Sequence, residues 1–185
     1  MMINRILAIV LMFWPYIFIL CVFAENEEVV SALMITYILL TLVVYTASII
    51  NAFLYKGKGR IYELALFDML IKLIHIPFYI LVFLIGILSL FVAVVPALVL
   101  VTPIMIFVLF VIDVLLMLTS SMYGISTLLK ACKTGMISRK FMVINIIMHC
   151  FFVTDIISSI IVFVQLKRRS KTILKPAPVQ KSNNN

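Results

Sequence analysis

Three ionisable residues interrupt long apolar stretches of this 185-residue chain and could do chemistry there: Asp113, His149 and Asp155. A charged side chain at the middle of a bilayer costs about 2.5–3.5 kcal/mol on insertion scales, so it usually faces protein or water. Such groups could bind a proton or a cation. With Asn145 and Ser120, which fall on the same predicted helix faces, they form the candidate intramembrane polar site.

The alternative interpretation of these residues is purely structural. Asp113 could be a protonated or hydrogen-bonded carboxyl, and the polar groups of the last apolar run could join neighbouring helices. His149 and Asp155 are nearly two helical turns apart, so on one helix they need a water or another side chain between them. Their spacing matches no metal site. The sequence therefore predicts no catalytic, cofactor-binding or metal-binding residue.

A second polar set lies along one stripe of a predicted helix, within "FDMLIKLIHIPFY". Asp68, Lys72, His75 and Tyr79 follow one another at i, i+4, i+7 and i+11. The stripe could be a polar track entering a helix bundle, or the edge of an amphipathic helix on the membrane surface with Lys72 snorkelling to headgroups. Because it follows the basic "KGKGR" and precedes a long apolar run, we favour the interfacial edge.

The composition points to a membrane protein. Hydrophobic residues make up 65% of the chain and charged residues 12%, whereas soluble domains are about a quarter charged. The net charge of +8 does not indicate nucleic acid, because the basic residues stand at the ends of apolar runs. The predicted partners are the lipid bilayer and, at the basic loops, anionic lipid headgroups.

The apolar runs predict an all-α integral membrane protein, a bundle of about five hydrophobic helices. The first half of the third helix is expected to be amphipathic and interfacial. Residues 1–167 form one domain, and 168–185 are a basic disordered tail. A signal peptide in residues 1–24 is the alternative to an uncleaved first span, which we favour. The predicted helices cover about 4–24, 29–55, 60–94, 98–130 and 137–167.

The distribution of Lys and Arg predicts a cytoplasmic N-terminus, because Arg5 and the loops at 56–60 and 130–140 together outweigh the tail. Five crossings would then put the tail on the other side. The sequence "KRRSK" directly after the last run is typical of the cytoplasmic side. Either one run does not cross, or the tail is an exception.

No nucleophile elbow, HExxH or phosphate loop occurs. The sequence therefore favours a non-enzymatic multi-pass protein of the cell membrane. Its role would be structural, accessory or regulatory, through helix contacts with a membrane-protein partner or a second copy. The alternative is a small transporter or channel for protons, cations or a small solute. The two differ in whether Asp113, His149 and Asp155 converge on one water-accessible cavity.

Overall fold

Six α-helices account for nearly all of the described chain. The structure is a computed structural model that describes residues 2–22, 26–54, 61–95 and 98–173. The predicted α-helical class is confirmed. In chain order the helices are α1 (Met2–Val22), α2 (Glu27–Leu54), α3 (Ile61–Val92), α4 (Val101–Lys133), α5 (Arg139–Met148) and α6 (Phe152–Ile173).

Three of these helices are long and apolar enough to cross a membrane, over Glu28–Leu54, Ile61–Val92 and Val101–Lys133. The α1 helix adds a shorter apolar stretch, Arg5–Ile19. Large apolar side chains cover their outer faces, such as Phe83, which is 66% exposed. Such continuous apolar surface suits lipid acyl chains better than water. The helices are compatible with membrane insertion, but the expected count of about five hydrophobic spans is not confirmed.

Four helix ends meet at one end of the bundle. Helices α1 and α3 begin there, where Arg5 approaches Glu63 to 3.5 Å. Helices α2 and α4 end there, where Lys130 Nζ donates to the carbonyl of Ala52 at 2.8 Å. We call this the basic end, defined by Arg5, Ala52, Glu63 and Lys130.

The last apolar run is not one helix, as predicted for 137–167, but an antiparallel pair. Ser158 Oγ of α6 donates to Asn145 Oδ1 of α5 at 2.8 Å. Near the end of α6, Leu166 packs in one core with Ala131 and Ile137, beside the start of α5. We call α5–α6 the hairpin: it leaves the basic end, turns part way along the bundle and returns. The start of "KRRSK" therefore lies at the same end as Arg5.

The turn of the hairpin, residues 149–151, satisfies its backbone groups with side chains. Thr154 Oγ1 donates to the Met148 carbonyl at 2.8 Å, and Ser121 Oγ to the His149 carbonyl at 3.4 Å. Beyond the turn, α6 continues to Ile173, so the predicted disordered tail begins as helix. Residues 174–185 lie outside the described residues.

Candidate functional site

A cluster of ionisable side chains lies where α3 meets the turn of the hairpin. Lys72 Nζ is 2.9 Å from Asp68 Oδ1 on its own helix and 2.5 Å from Asp155 Oδ1 on α6. It is also 2.9 Å from His149 Nδ1. All four side chains are buried, with exposures of 1% for Asp68, 2% for Lys72, 1% for His149 and 3% for Asp155. We call these four residues the charge cluster.

His149 and Asp155 share a direct hydrogen bond between Nδ1 and Oδ1. The sequence argument that water or another side chain must separate them is wrong, because it assumed one continuous helix. The break at 149–151 lets His149 fold back on the first turn of α6. Ser121 Oγ of α4 lies 3.2 Å from each carboxylate oxygen of Asp155, so its single hydroxyl hydrogen can be donated to this carboxylate in place of the His149 carbonyl.

The charges of this cluster do not balance without an extra proton. With a neutral His149, the carboxylates of Asp68 and Asp155 face the single ammonium of Lys72, which leaves one net negative charge. A buried unbalanced charge is costly. One further proton, taken by the imidazole or by a carboxylate, makes the cluster neutral. His149 Nε2 is buried and finds no hydrogen-bond partner among the described residues.

The charge cluster lies deep between the two ends of the bundle. Lys72 is roughly 17 Å along α3 from its start at the basic end, given the rise of an α-helix. A hydrocarbon core is about 30 Å thick. In a membrane-crossing α3, Lys72 would therefore stand near the midplane, where an ionisable group is a functional candidate by default.

The interfacial interpretation of the Asp68–Tyr79 stripe is corrected by its burial. Asp68, Lys72 and His75 are at most 2% exposed, and Tyr79 is 8% exposed. An edge on the membrane surface would keep its charged groups in contact with water or headgroups. Here α6 and α1 cover the stripe on two sides. The polar-track alternative describes Asp68 and Lys72 better, since both point into the bundle.

His75 has a structural partner of its own on α1. Its Nε2 donates to the carbonyl of Leu11 at 3.0 Å. That carbonyl is left without its helical partner because Pro15, four residues on, has no N–H. In the same contact Tyr16 of α1 donates to the carbonyl of Ile74 on α3 at 2.5 Å. Pro77 lies within α3 and does not interrupt it.

Three other predicted residues lie near the cluster without entering it. Tyr79 packs edge-on against Phe152, with ring centroids 4.3 Å apart. Ser120 is buried and donates to the carbonyl of Met117 on its own helix. Asn145 joins the two arms of the hairpin, since it accepts from Ser158 and donates to the Phe141 carbonyl.

Asp113 does not converge with His149 and Asp155. It lines a cavity of about 410 Å³ beside the hairpin turn, together with Tyr79 and Phe152. Its Oδ1 is buried and receives no hydrogen bond from any described residue. The structure thus joins His149 and Asp155 to half of the stripe, and leaves Asp113 at a separate apolar cavity.

Sequence reasoning missed two residues of the site, Ser121 and Gly124. A Cβ on Gly124 would lie 2.5 Å from His149 Nε2 and 2.8 Å from Asp68 Oδ2, so only glycine lets both side chains approach α4. The available sequence signal for this close packing was a pair of small residues, a serine followed by a glycine about one helical turn later. That spacing is common by chance, and nothing in it points to an ion cluster.

Comparisons with known proteins give a family but no function. The searches of curated proteins and of solved structures find no match. One family model covers residues 3–168, which includes all six helices except the first residue of α1 and the last residues of α6. It also includes every residue of the charge cluster and the cavity. The chain belongs to the family of unknown function DUF6652.

Proposed function

We propose that the protein is a non-enzymatic, multi-pass membrane protein that binds and exchanges a proton at the charge cluster, as the core of a small proton-coupled transporter. The observation that carries the proposal is the charge count. Two acids, one lysine and one histidine are buried together. The ammonium balances one carboxylate, so the second carboxylate requires one further proton for the cluster to be neutral.

The hairpin supports the same proposal. Discontinuous helices that end inside a membrane commonly form the substrate and ion sites of transporters. Here the break places His149 at the end of α5 and Asp155 in the first turn of α6. The other titratable groups around them are Tyr79 and His75 on α3 and, farther along α4, Asp113.

The setting we propose is a cell membrane with the basic end in the cytoplasm. All loop segments rich in Lys and Arg, and the end of α6, would then lie on the side that the positive-inside rule favours. This arrangement keeps the expected cytoplasmic N-terminus, and the basic tail no longer has to be an exception to the positive-inside rule. Anionic headgroups at the basic end are the expected lipid contacts.

A second candidate is an accessory protein in which the cluster only holds α3 and the hairpin together. We call this structural role the latch. The sealed environment favours it: each cluster side chain is at most 3% exposed. The Lys72 ammonium also has three close partners. Such a protein would act through helix contacts with a partner or a second copy.

Proton flux into proteoliposomes separates the two candidates. Asp155→Asn keeps the side-chain shape and leaves Asp68 and Lys72 balanced, so the variant should fold. We expect an imposed membrane potential to drive dye-detected acidification with the parent protein and not with Asp155→Asn. Lys133→Gln, at an exposed position near the basic end, is the control and should behave as the parent.

Equal flux in the parent and Asp155→Asn would contradict the transporter. The absence of flux in every variant, with a large loss of thermal stability in Asp155→Asn, would favour the latch.

A further inference from the structure

The cavity beside Asp113 exists because the hairpin stops part way along the bundle. Helix α3 continues to Val92, and α4 returns from Val101, whereas the hairpin turns back earlier, at 149–151. Past that turn, the faces of α3 and α4 on the side of the hairpin are covered by no helix of the described residues. The cavity of about 410 Å³ occupies this space, lined among others by Tyr79, Ile80, Phe83, Asp113, Phe152 and Val153.

The cavity opens sideways onto the surface that we assign to lipid. Ile80 is 54% exposed, Phe83 66% and Val153 68%. Its volume lies in the range of ordinary small-molecule sites, about 300–1,000 Å³. A molecule dissolved in the membrane could therefore enter between Phe83 and Val153 without crossing water.

One polar group, Asp113, distinguishes this cavity from a binding site for a lipid acyl chain. Asp113 precedes Ser121 on α4 by roughly 12 Å along the helix axis, so it lies farther from the basic end. Its Oδ1 is buried and without a hydrogen-bond donor among the described residues. An acyl chain would leave that carboxylate unpaired, and an anion would be repelled by it.

We propose that this cavity binds an amphipathic organic cation, such as a lipophilic ammonium or phosphonium. The apolar body would bury against the side chains of α3 and α6, while the positive centre pairs with the Asp113 carboxylate. The rings of Tyr79, Phe83 and Phe152 offer further attraction, because aromatic faces favour cations. This site stands on its own observations and does not require the charge cluster to move protons.

Binding of tetraphenylphosphonium to the protein in nanodiscs tests the proposal, with binding to empty nanodiscs subtracted. We expect saturable binding of one cation per chain, weakened by roughly tenfold or more in Asp113→Asn, the loss of at least one charge interaction. Glu28→Gln is the matched control, because it removes an exposed carboxylate outside the cavity. It should bind as the parent does.

A second variant guards against misfolding of Asp113→Asn. Val153→Trp fills the cavity from its exposed rim and keeps the carboxylate, so it should abolish binding. Triphenylmethane, a neutral probe of similar shape, should compete weakly with the cation and to the same extent in the parent and Asp113→Asn. Undiminished cation binding in Asp113→Asn, equal preference for the neutral probe, or no saturable binding to the parent would each overturn the proposal. The proton-flux result could still stand in all three cases.

Discussion

His149 and Asp155, six residues apart in the sequence, share a direct Nδ1–Oδ1 hydrogen bond across the turn of a helical hairpin. On an unbroken helix their side chains would leave the axis about 120° apart and be separated by roughly 9 Å of rise. The turn removes that separation. It also brings both groups to Lys72, so the local break and the buried ion cluster belong to one arrangement.

Lys72→Met tests how much the cluster depends on its single ammonium. The change leaves the acids Asp68 and Asp155 without their cation, which should lower the free energy of unfolding by about 3–5 kcal/mol. Denaturant titration in mild detergent measures this. Lys133→Met, at an exposed site, should stay within about 0.5 kcal/mol of the parent. Equal stability of the two variants would show that Lys72 is not buried among acids.

Gly124→Ala tests the close approach of the cluster to α4. The added methyl group would lie 2.5 Å from His149 Nε2 and 2.8 Å from Asp68 Oδ2. We expect a loss of about 1–3 kcal/mol, the usual cost of overpacking. Gly86→Ala is the matched control on α3, since nothing lies within 4 Å of its added Cβ. It should be neutral or stabilising by up to about 1 kcal/mol, and a similar result for Gly124→Ala would contradict the packing.

A double-mutant cycle tests the contact between His75 and the carbonyl freed by Pro15. His75→Leu alone should cost about 1–3 kcal/mol, because it leaves the Leu11 carbonyl unsatisfied. Pro15→Ala restores an amide at position 15 that can bond to that carbonyl, so His75→Leu should cost less in that background. A coupling energy of at least about 0.5 kcal/mol is expected. Strict additivity would mean that the two residues do not share the Leu11 carbonyl.

The hairpin makes a topological prediction that single-cysteine labelling can check. In a background without Cys21, Cys132 and Cys150, an impermeant maleimide should reach Arg169→Cys and Lys133→Cys from the same side of the membrane. Both positions are exposed and lie toward the basic end. Asn26→Cys should label from the opposite side. Accessibility of Arg169→Cys together with Asn26→Cys would mean that the last run crosses after all.

The extent of the helices could be predicted from the sequence because apolar runs of this length have few alternatives. The α3 and α4 helices fall within a few residues of the predicted 60–94 and 98–130. The break at 149–151 could not be located, since "HCF" contains neither proline nor glycine. Only the basic "KRRSK" directly after the last run was at odds with five crossings.

The candidate site was half predictable for a related reason. The sequence marks Asp68, Lys72, His149 and Asp155 as unusual, because each interrupts an apolar pattern. It does not say that they meet, since Lys72 and Asp155 are 83 residues apart and contact depends on how α6 returns. Apolar faces toward lipid and toward other helices look alike in the sequence, so the burial of the stripe was also missed.

Nitrogen NMR of the His149 ring in lipid measures the central claim most directly. The chain has two histidines, so His75→Gln leaves His149 as the only ring signal, and a glutamine amide can still donate to the Leu11 carbonyl. We predict that the ring nitrogen shifts change across a pH series, as the cluster gains and loses one proton. The change should be altered when Asp155→Asn is added. Ring shifts that are constant across the pH series would contradict proton exchange at the charge cluster.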